Sequence, residues 1–98
     1  MTFNEEVVNV TGASTSTSGT LYSVPAGKYA FISWSFTAGG GTSGIVSIRI
    51  NNAEVARVSQ STPSEFSGNA YIRGSVSISA SGDRTLSAGL TALEFNLP

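Results

Sequence analysis

Few groups in this sequence can take part in acid–base or ligand chemistry. There are six carboxylates, Glu5, Glu6, Glu54, Glu65, Asp83 and Glu94, and five cations, Lys28, Arg49, Arg57, Arg73 and Arg84. Neither histidine nor cysteine occurs, which removes the commonest general base, the thiolate nucleophile and the usual transition-metal ligands. Carboxylate pairs alone can still hydrolyse glycosides. Glu5 and Glu6, however, are neighbours, and a strand points neighbours to opposite faces. The other four fall on turns, edges or loops, where solvated carboxylates are ordinary. No Asp-rich ligand spacing supports a calcium loop. The glycine run at 39–44 lacks the GKS or GKT ending and the following helix of a phosphate cradle. The expectation is a protein that is not an enzyme, with no metal, no cofactor and no small-molecule substrate. The cations are scattered along a chain of net charge -1, which leaves no clustered footprint for nucleic acid.

The residues that remain are those that pack and adhere, and their order shows which elements must carry them. Between Lys28 and Ala38, Ala30, Ile32, Trp34 and Phe36 share one parity with Ala38, while serines and a threonine hold the other; this is the period of a half-buried strand. The turn before it is expected to place Pro25 at the second position of a type I turn and Gly27 at its close. Trp34 keeps company with Ile32 and Phe36, so it reads as core and not as a sugar-stacking platform. Tyr29 and Phe31 lie on the opposite face among serines. Large rings exposed in this way mark a contact surface.

Further strands follow the same logic. Val46, Ile48 and Ile50 alternate with Ser47 and Arg49, and Asn51-Asn52 suits a two-residue type I′ turn, so 45–59 reads as a hairpin. Val55 and Val58 differ in parity, which predicts a bulge in its second arm or partial burial of both its faces. Residues 71–80 give the cleanest alternation, with Ile72, Val76 and Ile78 inward. A strand over 84–89 places Leu86 and Ala88 inward, and a closing strand over 91–97 places Leu93, Phe95 and Leu97 inward. Residues 2–10 read as an edge strand or as an arm onto a neighbouring subunit, with Phe3 a candidate contact. Residues 11–19, rich in Ser and Thr, read as a flexible connection and 60–69 as an irregular loop. On that loop Phe66 either plugs an end of the fold or touches a partner.

The whole predicts an all-β, antiparallel β-sandwich or jelly roll of seven or eight strands in a single domain, 1–98: strand or arm 1–10, connection 11–19, core sandwich 20–98. With 98 residues, such a chain buries only about 60–65% of the surface it exposes unfolded. Without disulfides or zinc, extra stability must come from packing or from partner subunits. No apolar run approaches the ~20 residues of a membrane helix, so no membrane insertion is expected. The N-terminus also lacks the layout of a signal peptide.

The succession YSVPAGKYAFISWSF, a glycine-rich loop, VSIRINNAEVARVS, a serine-rich loop and GSVSISASGDRTLSAG resembles small β-sandwich proteins of tailed-bacteriophage virions. In these a VPAGK turn, an I-N hairpin and a late G-D turn recur. The resemblance spans 20–97 and rests on turn chemistry. It implies a virion structural protein, made in the host cytoplasm and commonly a homotrimer, that decorates or cements the head shell by binding the major capsid protein or another virion protein. It supplies no catalytic residue. Two other readings are a tail-fibre or tail-tip receptor-binding module, using the loops at 39–44 and 60–69, and a sugar-binding lectin using Tyr22 or Trp34.

Overall fold

The computed structural model describes residues 6–39, 44–59 and 64–98. Eight strands form: β1 (Val7–Thr15), β2 (Gly19–Ser23), β3 (Lys28–Ala38), β4 (Val46–Ile50), β5 (Ala53–Val58), β6 (Ser64–Ile72), β7 (Ser75–Ala80) and β8 (Leu86–Asn96). They make two four-stranded antiparallel sheets, a first of order β1-β8-β3-β6 and a second of order β2-β7-β4-β5. Successive strands alternate between sheets except at the β4–β5 hairpin, which gives the interleaved order of a jelly roll.

β3 is the spine of the first sheet, paired along its length with β8, from Lys28↔Asn96 to Ala38↔Leu86, and with β6, from Ala30↔Ile72 to Ala38↔Ser64. Its even residues face the second sheet, and Ile32, Trp34 and Phe36 are buried with Val46, Ile48, Ile72, Val76, Ile78 and Leu86, as expected. Ile50 is half-buried against the same cluster. Trp34 fits because β6 offers Gly68 opposite it; a Cβ there would stand 2.5 Å from the indole.

The turns follow from their residues. Asn51 and Asn52 have φ of 52° and 65°, both central positions of a type I′ turn. The turn is pinned to β7, where the Asn51 N–H donates to Ser75 O and the Asn51 Oδ1 accepts from the Ser75 N–H, each at 2.9 Å. The predicted bulge is Val55, skipped between the pairs Ile48↔Ala56 and Arg49↔Glu54 and left exposed. The turn before β3 is displaced by one residue from the expectation. The Lys28 N–H donates to Pro25 O at 3.2 Å, so Pro25 opens the turn, and Gly27, at φ 78°, takes the third position of a type II turn.

Four segment boundaries differ from the sequence reading. Residues 11–15 are not a flexible connection; they continue β1 in register with β8, from Thr11↔Ala92 to Thr15↔Ala88, because a serine- and threonine-rich edge strand needs only one apolar face. Residues 64–69 are strand, not loop, and Phe66 faces inward on Phe36; residues 60–63 lie outside the described ones. The alternating run 71–80 is two strands in different sheets, separated at Arg73-Gly74. Finally, 86–96 is one strand whose inward set is Leu86, Ala88, Leu90, Ala92 and Glu94. The closing-strand parity is therefore reversed: Leu93 and Phe95 stand on the outer face of the first sheet, and Leu97 is half-buried beyond the strand.

Candidate interaction surface

Across the outer face of the first sheet, cross-strand pairs set apolar side chains in rows. One row runs Val10, Leu93, Phe31, Tyr71, crossing β1, β8, β3 and β6 in order. The adjoining row holds Val7, Phe95 and Tyr29 on β1, β8 and β3. Directly opposed residues on one face interact, and the rings do so here. Tyr29 stacks on Phe95, with centroids 5.0 Å apart and planes at 15°; Phe31 meets Tyr71 at 4.7 Å and 54°, and Tyr29 meets Tyr71 at 6.2 Å and 45°.

The rings bury Phe95 to 7% exposure from the outside, whereas Tyr71 and Val10 each remain 62% exposed. Leu93, Tyr29 and Phe31 are half-buried. The patch is local. Further along the same face the residues are Gly12, Thr91, Ser33 and Asn69, then Ser14, Gly89, Ser35 and Ser67. Arg73, exposed just past β6, closes a shallow apolar groove against Tyr29 and Tyr71.

The sequence singled out Tyr29 and Phe31, and the structure brings these two together. Phe66 is not on this surface but on the inner side of the β6 edge, 41% exposed and stacked on Phe36 at 5.7 Å. Phe3 lies outside the described residues. Tyr71, Leu93, Phe95 and the valines of β1 were missed as surface residues; the signal that could have found them is register, because Tyr29 and Phe31 need partners across the sheet.

The same strands build a polar tie on the inner side. Glu94 was expected on an exposed edge but is buried at 3% exposure on central strand β8. Its Oε1 accepts from Asn9 Nδ2 at 2.8 Å and its Oε2 accepts a short bond from the Tyr22 hydroxyl, so it joins the two sheets. The Tyr22 hydroxyl, with help from Asn9, holds the Glu94 carboxyl below the usual carboxylate range against the opposing effect of burial. Burial first, and then the bond to Glu94 and its charge, push the Tyr22 phenol well up. The Tyr22 hydroxyl is thus committed to Glu94, and Trp34 lies buried between the sheets, so it presents no free stacking platform for sugar. Among the described residues no group of three or more acidic side chains could hold a metal ion, and no helix is long and apolar enough to cross a membrane.

No protein-family profile matches the chain. No curated protein matches its sequence. A chain from the solved structure described as "Bacillus endospore appendages form a novel family of disulfide-linked pili" is similar in fold, with a TM-score of 0.58 at 11% identity over 92% of this chain and 87% of that one. At that identity the likeness is one of architecture: both are small all-β proteins.

Proposed function

We propose that this chain is a non-enzymatic structural subunit of a larger protein assembly, a virion or a surface appendage, and that the outer face of its first sheet is a subunit contact within it. The observation that carries the reading is the aromatic and aliphatic patch that crosses all four strands. A row of rings exposed to water at one end of an otherwise serine-lined face is costly unless another protein covers it. The virion-like turn chemistry and the fold shared with a pilus chain both favour such a role. The pili of that comparison are disulfide-linked, whereas this chain contains no cysteine, so its own contacts are not disulfides. The specific form favoured by the sequence resemblance is a decoration protein on a phage head shell.

Labelling of intact particles and appendages with an antibody to this chain tests the reading. Regularly spaced label on a shell, tail or filament is the expected result. Label confined to soluble cell contents would overturn it.

A further inference from the structure

We propose that the outer face of the first sheet is a homodimer interface in which two copies pack face to face about a twofold axis parallel to the strands. The proposal rests on the assembly reading above and specifies the partner as a second copy of this chain.

The argument starts from side-chain size. Along the row Val10, Leu93, Phe31, Tyr71 the side chains grow from one edge of the sheet to the other, so the face is thin over β1 and thick over β6. An axis parallel to the strands reverses the strand order in the second copy and preserves position along the strands. Val10 of one copy then lies over Tyr71 of the other, and Leu93 over Phe31. Each sum of one small and one large residue is similar, so the gap between the copies is even. Charge follows the same rule. Exposed Glu6 precedes β1 and exposed Arg73 follows β6, at opposite corners of the same end; the overlay brings each to the other.

Area selects this axis over one running across the strands. At ~4.8 Å between strands and ~3.4 Å per residue, the whole four-stranded face covers ~650 Å², of which the two aromatic rows cover ~230 Å². A standard interface buries about 800 Å² per partner. A crosswise axis at the aromatic end overlaps the aromatic rows alone and leaves the remaining lengths splayed apart. The parallel axis overlaps the full face, where the residues beyond the aromatic rows are mostly small, Gly12, Ser33, Ser35, Ser67 and Gly89, with Thr91 and Asn69 among them.

Sedimentation equilibrium on the intact chain and its variants reads the outcome. The wild type is expected at twice the chain mass of 10.0 kDa. Val10→Glu and Tyr71→Arg, at two exposed positions, each weaken association by about 30-fold or more, with the circular-dichroism spectrum of the fold retained. Both substitutions in one chain restore the dimer, since the parallel axis sets the new acid of one copy over the new base of the other. The two sites occupy opposite edges of the sheet, ~14 Å apart, which rules out rescue within a single chain. A double variant that stays monomeric overturns the proposal, because a crosswise axis would set like charges together. A wild-type monomer or trimer overturns it as well. None of these masses bears on the assembly reading, which the particle labelling decides separately.

Discussion

The two faces of the first sheet are built by the same strands and are both aromatic, yet they have different fates. On the inner face Ile32, Trp34 and Phe36 are covered by the second sheet, and Phe36 is 1% exposed. On the outer face Tyr29, Phe31 and Tyr71 touch one another and still meet water. The outer face of the second sheet is different again: Ser47 and Ser79 share a hydrogen bond of 3.0 Å, and Glu54 lies between Arg49 and Arg57. Outward rings are thus not a general habit of this sandwich. They are placed where β1, β8, β3 and β6 come into register, and they stop within two rows. The inner cluster specifies the fold and the outer one a contact, and substitutions on each face should separate the two roles.

The largest effect is expected inside. Phe36→Ala leaves a cavity between the sheets and should cost about 3–5 kcal/mol in urea unfolding, much of the stability of a domain this small. A cost under ~1 kcal/mol would mean that the inner face is not the core. Outside, Phe31→Ser removes the centre of the aromatic row. It should weaken self-association by about 30- to 1000-fold, the range of an interface hot spot, while lowering the Tm of the folded chain much less than Phe36→Ala does. An equal loss of stability from both variants would erase the distinction between the faces.

The sequence makes the inner face plain and the outer one only partly so. Alternation along β3, β4 and β7 identifies Ile32, Trp34, Phe36, Val46, Ile48, Val76 and Ile78 without any knowledge of pairing, since each needs only its own strand. Asn51-Asn52 specifies its turn for the same local reason. The outer patch depends on which strands are neighbours, and parity within one strand carries no such information. Leu93 and Phe95 look like core from 91–97 alone, because with Leu97 they are the large apolar residues there; instead Leu90, just before that window, and the small Ala92 with buried Glu94 take the inner side. The run 71–80 misleads in a similar way. A strand that leaves one sheet for the other keeps its apolar side toward the same core, so alternation continues through Arg73-Gly74 although the hydrogen-bonding partners change.

Where the two faces meet at the end of β8, Glu94 provides a finer test. Its carboxyl is held below its ordinary range, so the folded state gives up that proton more readily than the unfolded chain does. The resulting stabilisation is fully present above the ordinary carboxylate pKa of about 4.3 and is lost as pH falls through the lowered value. The Tyr22 phenol is shifted upward, so its contribution is present below about pH 10 and is lost as pH rises through the raised value. Tyr22→Phe should cost about 1.5–3 kcal/mol at neutral pH, the worth of a hydrogen bond to a charged group, and should flatten the alkaline limb of the urea midpoint measured against pH. Glu94→Gln should flatten the acid limb. A profile unchanged by both would show that the tie between the sheets does not exist in solution.

The smallest effect is expected on the second sheet. Arg57 donates from Nε to Glu54 Oε1 at 2.7 Å and from Nη2 to Oε2 at 3.1 Å, with Arg49 Nη2 at 3.5 Å. These bonds hold the Glu54 carboxyl below its usual range, but the groups are open to solvent, where salt screens them and ordering two long side chains offsets the attraction. Glu54→Gln should therefore leave Tm unchanged at ordinary ionic strength and lower it slightly at low salt. It should also leave self-association untouched, because this face is not the one that carries the rings. If Glu54→Gln disperses the assembly while Phe31→Ser does not, the adhesive side of the sandwich is the charged one, and the roles assigned to the two sheets have to be exchanged.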